Sequence, residues 1–299
     1  MAIPESQLET WSHQGSITQS SRTYNTIKNA LEVASTPYAS KDCGVFLQGS
    51  YGNDTNIYAE SDVDIVIQLN DCFFYDLSAM PPNQQQAFQA AHPGRVAYDH
   101  VDFKRDVLAV LDGNYKGEVA PGDKAISIAA NGTRRKADVI AATQYRRYFH
   151  FLSFEPGGQS YAEGICFFTK AGERIANYPR QHSANLTRKH QDSGEWFKPM
   201  VRILKNMREK LKDEKVITAD VAPSYYLEGL LYNVPNDKFG TSYSDCFANC
   251  INWIWTADRS QFLCANEQYY LLRENSPVTW RASKCDQFLR AAVKLWNEW

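Results

Sequence analysis

The segment SDVDIVIQL, residues 61–69, constrains the fold of this chain more than any other stretch. Its apolar residues alternate with Asp62 and Asp64, and this period of two predicts a buried β-strand. Because the alternation fixes the register, the two aspartates share one face, side by side at an edge of the sheet. Neighbouring carboxylates repel each other unless a cation neutralises them. The pair therefore predicts a divalent metal site, and hard oxygen ligands favour Mg²⁺ or Mn²⁺.

A Gly-Ser pair precedes this strand in the sequence LQGSYGND. Gly49 follows an apolar run that predicts a strand at 44–48, and a glycine there lets a phosphate approach the backbone. Ser50 offers a hydroxyl and an N–H near a predicted helix start. Protein-bound Mg²⁺ usually completes its shell with waters and substrate phosphates. The combination poses the question of a nucleoside triphosphate ligand.

A third acid lies on a predicted hairpin, AISIAANGTRRKADVIAA, residues 125–142, whose limbs are joined by an Asn-Gly turn. Asp138 stands among apolar residues of the second limb, where an unpaired charge would be costly. If that limb lies beside the first strand, the three carboxylates form the triad that two metals need. Alternatively, Asp138 is an edge-strand aspartate that pairs with Arg134 or Lys136. We expect Arg134 to face solvent.

Composition limits the class of protein. The 299 residues, of which 43% are hydrophobic, suit one large or two ordinary domains. A net charge of −2 disfavours constitutive nucleic-acid binding. Seven scattered cysteines fit a reducing cytoplasm, and no zinc site is expected because the C-x3-C at 246 and 250 has no second pair. No membrane span or signal peptide is predicted, so we expect a soluble, cytoplasmic protein.

The second half of the chain is predominantly helical by its periodicity. A basic stripe at Lys198, Arg202 and Lys205, at i, i+4 and i+7, is either a solvated face or a phosphate-binding face. His182 has no carboxylate or serine constellation around it in the sequence, so triad hydrolysis finds no support. Helices are predicted, over the whole chain, at 17–34, about 99–112, 243–256, 260–273 and 281–298, with a polar insertion at 80–98.

A further helix begins at Ser224, directly after a proline. There the Ser224 hydroxyl can point at a phosphate near the helix N-terminus. Tyr225 offers a face on which a purine can stack, or is simply a core aromatic together with Tyr226.

Taken in order, these motifs resemble the DNA polymerase β-like nucleotidyltransferases, which carry a Gly-Ser or Gly-Gly pair after a strand, two alternating acids and a later acid. The matching residues are Gln48-Gly49-Ser50, Asp62-Val63-Asp64-Ile65 and Ala137-Asp138-Val139. The segments at 175–211 and 222–235 are similar to the bacterial CD-NTases, relatives of cGAS and oligoadenylate synthase that make cyclic oligonucleotide signals in anti-phage defence. The pattern around the aspartates is close to clade E or the neighbouring clade G of that family.

The resemblance implies an α+β fold, in which a polymerase β-like core with a mixed sheet (1–170) is followed by an oligoadenylate-synthase-like helical domain (171–299), with the active site in the cleft between them. Asp62, Asp64 and Asp138 would be the catalytic residues and would bind two Mg²⁺ or Mn²⁺. Lys205 aligns with a lysine that holds the donor triphosphate, and Asn177 stands where the family has base-reading residues. The nucleotide-binding residues would be Gln48, Gly49, Ser50, Asn177, Arg202, Lys205, Ser224 and Tyr225.

The activity implied by the resemblance is synthesis of a cyclic di- or trinucleotide with release of pyrophosphate, in anti-phage (CBASS) signalling. The substrates would be ATP and a second NTP, GTP or UTP, and an effector protein would read the product. Two alternatives stay open: a linear oligonucleotide synthase or other template-independent nucleotidyltransferase, and an inactive nucleotide-binding scaffold.

Overall fold

A computed structural model describes residues 2–58, 62–94, 96–274, 276 and 278–299. The chain divides into two compact units, each built from separate stretches of sequence. One unit contains Met1–Ile17, Gly49–Ser61 and Arg180–Trp299, and the other contains Thr18–Gln48 and Asp62–Pro179. The sequence-based division at residue 170 stays a prediction. Within the described ranges, no helix combines the length and the apolar character needed to cross a membrane.

Seven strands within the described ranges form the sheet of the second unit, in the order β1-β2-β5-β4-β3, with β6 paired to β5 and β7 paired to β6. Only the β2–β5 pair is parallel among these pairings, so the predicted mixed sheet is confirmed. The strands are β1 Cys43–Leu47, β2 Val63–Asp76, β3 Val119–Pro121, β4 Ile126–Ile128, β5 Ala137–Phe151, β6 Gln159–Phe168 and β7 Arg174–Asn177.

Strand β2 is an interior strand of this sheet. Val63 and Ile65 are buried, as the alternation predicts, but Val66 and Gln68 on the other face are buried as well. Val66 belongs to an apolar cluster with Ile140 of β5 and Ile165 of β6. The period of two therefore holds only at the start of β2, where Asp64 lies, because residues 65–69 are all buried.

Helices flank the sheet in the second unit and supply most of the buried apolar residues of the first. Helices α2 and α5 pack against strands β2 and β5, respectively. In the second unit the helices are α2 Thr18–Leu31, α4 Pro82–Ala91 and α5 His100–Asn114. In the first unit they are α1 Glu5–Ser12, α3 Gly49–Gly52, α6 Pro179–Asp192 (which begins at the last residue of the second unit), α7 Phe197–Asp213, α8 Ser224–Tyr232, α9 Tyr243–Thr256 and α10 Ala282–Asn297.

Four predicted helices are confirmed, as α2, α5, α9 and α10, but the helix predicted at 260–273 is wrong. This stretch begins with a 3₁₀ turn, Arg259–Gln261, and continues as isolated β-bridges. The Leu271 N–H donates to the Phe262 carbonyl at 2.7 Å, and Glu267 between them has a φ of 58°. A left-handed residue inside a strand-like hydrogen-bond pattern cannot belong to an α-helix.

Two glycines of the second unit allow a matched test of packing. A Cβ on Gly164 of β6 would lie 2.4 Å from the Asn177 carbonyl oxygen, whereas a Cβ on Gly113 of α5 would meet nothing within 4 Å. We expect Gly164→Ala to lower the free energy of unfolding by about 1–3 kcal/mol through overpacking. Gly113→Ala should raise it by about 0.4–1 kcal/mol, because alanine restricts the unfolded chain. Denaturant unfolding measures both values, and equal effects would contradict the predicted difference.

Candidate active site

The three predicted metal-binding acids come together at one end of the parallel β2–β5 pair. Asp64 on β2 is directly opposite Asp138 on β5, and Asp62 immediately precedes β2. Paired residues on neighbouring strands point their side chains to the same face of a sheet. The second limb of the predicted hairpin, β5, thus lies beside the aspartate-bearing strand β2, as predicted. Strand β5 is an interior strand of the sheet rather than an edge strand.

Lys136 brings a cation to this acidic cluster. Its Nζ lies 2.6 Å from Oδ2 of Asp62 and 3.4 Å from Oδ2 of Asp138. Lys136 and Asp138 share a face because they are two residues apart in an extended segment. The hydrogen bond to Asp62, which outweighs the opposing desolvation, raises the pKa of Lys136 above its usual value. Asp138 therefore has both of the neighbours that its sequence context left open: the other acids and Lys136.

The chemistry of the acidic cluster fits a hard divalent cation. Carboxylate oxygens are the ligands that Mg²⁺ and Mn²⁺ prefer. As the described residues stand, no three His, Cys, Asp or Glu side chains are arranged to hold a metal ion. In this arrangement the Lys136 ammonium contacts one oxygen of Asp62 and one of Asp138. An ammonium held between two carboxylates shows that this position attracts a cation.

The Gly-Ser pair begins a four-residue helix, α3, as predicted. Gly49 has a φ of 65°, a left-handed conformation that favours glycine. Gln48, the last residue before it, donates its backbone N–H to the Asp64 carbonyl at 3.0 Å. The side-chain Oε1 of Gln48 is buried and has no hydrogen-bond partner among the described residues.

The basic stripe of α7 holds the chain that follows α3. Nζ of Lys198 lies 3.0 Å from a carboxylate oxygen of Asp54, and Nη1 of Arg202 donates to the Asp54 carbonyl at 2.7 Å. Nζ of Lys205 donates to the Thr55 carbonyl at 2.9 Å. Lys198 and Lys205 are 5% and 0% exposed, so the alternative of a solvated face is wrong for both. Direct contact of Arg202 or Lys205 with a nucleotide stays a prediction.

Glu228, which the sequence analysis missed, is a buried carboxylate in the same unit. It is 2% exposed and accepts hydrogen bonds from Asn53 at 3.2 Å, Thr55 at 2.5 Å and His182 at 2.7 Å. Burial acts to raise the pKa of Glu228, but the His182 hydrogen bond, the charges of His182 and Lys205 and the Thr55 hydroxyl together lower it. The sequence around His182 suggested no carboxylate constellation, and the structure supplies a carboxylate partner that is 46 residues away.

The predicted donor residues Ser224 and Tyr225 begin α8, as expected. The Ser224 hydroxyl accepts a hydrogen bond from Nη1 of Arg208 at 2.9 Å. The Tyr225 ring stacks on His182, with centroids 4.8 Å apart and planes 18° from parallel, and its hydroxyl accepts from Asn266 at 3.0 Å. Tyr226 stacks instead on Trp280, in agreement with its assignment to the core.

Two other residues of the second unit received predictions. Asn177 ends β7, where its side-chain oxygen accepts the backbone N–H of Tyr178 at 2.9 Å. Arg134 is 8% exposed, so the prediction that it faces solvent is wrong. It pairs with Glu118, donates to the Ala129 carbonyl and lies 4.6 Å above the Tyr115 ring centroid. These contacts offset the cost of burying the guanidinium.

In this mixed sheet Asp64 and Asp138 are in register on two interior strands, Asp62 immediately precedes the first of them, and a Gly-Ser turn lies upstream. This arrangement is that of a polymerase β-like nucleotidyltransferase. The family model for the cGAS/DncV-like nucleotidyltransferase C-terminal helical domain matches residues 184–297. The chain is 40% identical to the cyclic UMP-AMP synthase of Rhodothermus marinus, over 100% of this chain and 99% of the relative. This chain therefore belongs to the cGAS/DncV-like nucleotidyltransferases, the CD-NTases, and it is an enzyme of that class.

Other relatives agree with this assignment. The chain is 34% identical to the cyclic dipyrimidine nucleotide synthase CdnE of Legionella pneumophila, over 96% of each chain. The solved structure of Rhodothermus marinus CdnE c-UMP-AMP synthase with Apcpp and Upnpp superposes with a TM-score of 0.87 at 37% identity, covering 99% of this chain and 97% of that one. Elizabethkingia meningoseptica CdnE cyclic dinucleotide synthase, solved with GTP and Apcpp, gives 0.76 at 29% identity, covering 99% and 98%. These similarities to CdnE proteins are consistent with clade E.

Replacement of Lys136 by methionine tests the affinity of the acidic cluster for cations. Lys136 and Asp62 are 42% and 41% exposed, so Lys136→Met should cost only about 0.5–1 kcal/mol of stability without metal. It should also tighten Mn²⁺ binding several-fold, because the ammonium no longer competes for the same oxygens. Thermal denaturation and Mn²⁺ titration followed by electron paramagnetic resonance measure the two effects.

The matched control for this experiment is Lys124→Met, which removes an exposed lysine of the same unit outside the acidic cluster. It should leave Mn²⁺ affinity unchanged. If Lys136→Met binds Mn²⁺ no more tightly than the control, Lys136 does not occupy the cation position.

Proposed function

We propose that this enzyme joins ATP and a second nucleoside triphosphate into a cyclic di- or trinucleotide and releases pyrophosphate. The observation that carries the proposal is the register of Asp64 with Asp138, with Asp62 immediately before β2. Similarity along the whole chain to a cyclic UMP-AMP synthase supports a cyclic product. The product would act as a second messenger in anti-phage signalling, read by an effector protein.

Asp62, Asp64 and Asp138 would hold two divalent cations, Mg²⁺ or Mn²⁺. Such ions, when bound, increase the acidity of an acceptor ribose hydroxyl and neutralise charge on the pyrophosphate leaving group. Lys136 must give up its contacts with Asp62 and Asp138 when the cations bind, because both use the same oxygens. Held at one end of the β2–β5 pair, the three carboxylates would place this chemistry where the acceptor hydroxyl attacks the α-phosphorus and pyrophosphate leaves.

The donor nucleotide would be bound by residues of the first unit. Gly49 and Ser50 would bind the triphosphate through backbone N–H groups and a hydroxyl, and Ser224 would add a second hydroxyl. Lys205, whose ammonium donates to the Thr55 carbonyl, would contribute positive charge near the triphosphate. Tyr225 would stack on the base. Arg202 would contribute positive charge near the phosphates.

Gln48 and Asn177 are the proposed residues of the second unit that contact nucleotides directly. The buried Oε1 of Gln48 is an acceptor that lacks a partner among the described residues, so a ligand donor would satisfy it. The Asn177 amide would read a base edge, because it offers both a donor and an acceptor. Relatives 30–40% identical to this chain are named for different combinations of bases, so the joined bases vary among proteins this similar. We propose UTP as the second substrate, with GTP as the alternative.

Product analysis tests the cyclic synthase directly. Incubation with all four NTPs and Mg²⁺ or Mn²⁺ should yield a product that survives phosphatase, because a cyclic product has no terminal phosphate. Mass spectrometry identifies the joined nucleotides. A product that phosphatase degrades would support the linear synthase, and no product under any metal and NTP combination would support the inactive scaffold. Asp62→Asn with Asp64→Asn is the control, and it should lose all synthesis while remaining folded.

The Asp138→Asn variant should distinguish the catalytic step from binding of the donor nucleotide. In the proposed roles Asp138 chiefly serves the cation that activates the acceptor hydroxyl, so Asp138→Asn should bind NTP with Mg²⁺ and yet lose at least 100-fold in kcat, on the order of one removed catalytic group. Calorimetric titration with NTP and steady-state rates measure the two properties. Complete loss of NTP binding would instead assign Asp138 to the donor pocket.

A further inference from the structure

The Glu228 carboxylate forms hydrogen bonds with two separate segments of the first unit. On one side its carboxylate accepts hydrogen bonds from the side chains of Asn53 and Thr55, and on the other side from His182. All four residues are buried. A buried carboxylate is costly unless hydrogen bonds and nearby positive charge compensate it. Glu228 has three donors and the charge of Lys205 close by, so it is a stable anion in this position.

The first element held by Glu228 is the chain that leaves the Gly-Ser turn. The Asn53 N–H donates to the Gly49 carbonyl at 3.0 Å, and the Thr55 N–H donates to the Ser50 carbonyl at 3.0 Å. Asn53 and Thr55, whose side chains donate to Glu228, are therefore also hydrogen-bonded through their backbones to Gly49 and Ser50, the two residues proposed to bind the triphosphate. A shift of Thr55 would be transmitted to Ser50 through a single hydrogen bond.

The second element is Tyr225, which Glu228 reaches through His182. Nε2 of His182 donates to Glu228, while Nδ1 has no hydrogen-bond partner among the described residues. The Glu228 hydrogen bond therefore fixes the rotation of the imidazole, and the imidazole lies parallel to the Tyr225 ring.

We propose that Glu228 is a positioning residue for the donor nucleotide. Through Thr55 it sets the place of the Gly49–Ser50 turn, and through His182 it sets the plane of Tyr225. One carboxylate thus fixes the distance between the group that binds the triphosphate and the group that stacks on the base. This inference rests on the proposed function, which assigns the triphosphate to Gly49 and Ser50 and the base to Tyr225.

Binding of two probes distinguishes the effect of Glu228 on the Gly49–Ser50 turn, through Thr55, from its effect on Tyr225, through His182. The probes are tripolyphosphate, which has no base, and the ATP analogue Apcpp, each titrated with Mg²⁺ by calorimetry below the melting temperature of every variant. Thr55→Val should weaken both probes about tenfold, as expected when one hydrogen bond to a charged group is lost. His182→Phe keeps an aromatic ring beneath Tyr225 but loses the hydrogen bond, so it should weaken Apcpp about tenfold and leave tripolyphosphate unchanged. Glu228→Gln should weaken both.

Asn185→Ala is the matched control for lost stability. Asn185 is buried on the same helix as His182, and its amide donates to the Ala265 carbonyl at 2.8 Å, outside the Glu228 cluster. This variant should melt at a lower temperature and bind both probes within twofold of the unmodified protein. A merely structural role for Glu228 would give its variants the same behaviour.

Each outcome decides the proposal. If the Glu228, Thr55 and His182 variants melt at lower temperature yet bind both probes normally, the positioning role is overturned and the synthase function stands. If His182→Phe weakens the binding of both probes equally, the proposal that His182 acts only on Tyr225 is overturned. If Glu228→Gln does not fold, Thr55→Val and His182→Phe decide by themselves. If the unmodified protein binds neither probe, the proposed function itself fails.

Discussion

The parallel pairing of β2 with β5 is the constraint on which the acidic cluster depends. Parallel neighbours place residues of equal register side by side, so Asp64 meets Asp138 although 74 residues separate them in the chain. The apolar residues that follow each aspartate bury both strands and hold that register against slippage. The burial of both strands thereby keeps the like charges of Asp64 and Asp138 close together, and a cation compensates these charges.

Compensation of buried charge is the corresponding constraint in the first unit. Lys198 and Lys205 bring ammonium groups into the interior from α7, and Glu228 brings a carboxylate from α8. Carbonyl oxygens and polar side chains of residues 53–55 form hydrogen bonds with all three of these charged groups. Such a network stabilises one conformation of the chain, because any movement would leave a buried charge without its partner.

These two constraints act on opposite sides of one short stretch of sequence. Residues 49–61 belong to the helical unit, whereas the strands before and after them belong to the sheet. The chain leaves the sheet at Gln48 and returns at Asp62, so the Gly-Ser turn and the paired aspartates are linked covalently while being supported by different cores. The backbone thereby joins two sets of proposed functional residues that different cores support.

The sequence by itself determined the local elements of this protein. Three patterns depend only on neighbours in the chain: the alternation at Asp62 and Asp64, the proline before Ser224 and the glycine before Ser50. The structure shows the expected strand at the first pattern and a helix start at each of the other two. The family also followed from the sequence, because the motifs keep a fixed order. Local patterns failed where long-range contacts decide, as at 260–273, where bridges replace the predicted helix.

Only the tertiary structure decided how the charged residues are partnered. Arg134 and Lys198 look like surface residues in sequence, since burial of a cation depends on a distant acceptor such as Glu118 or Asp54. His182 and Glu228 are 46 residues apart, and no periodicity connects them. A helix or strand is set by interactions within a few residues, whereas an ion pair is set by which segments fold against each other, and that information is spread over the whole chain.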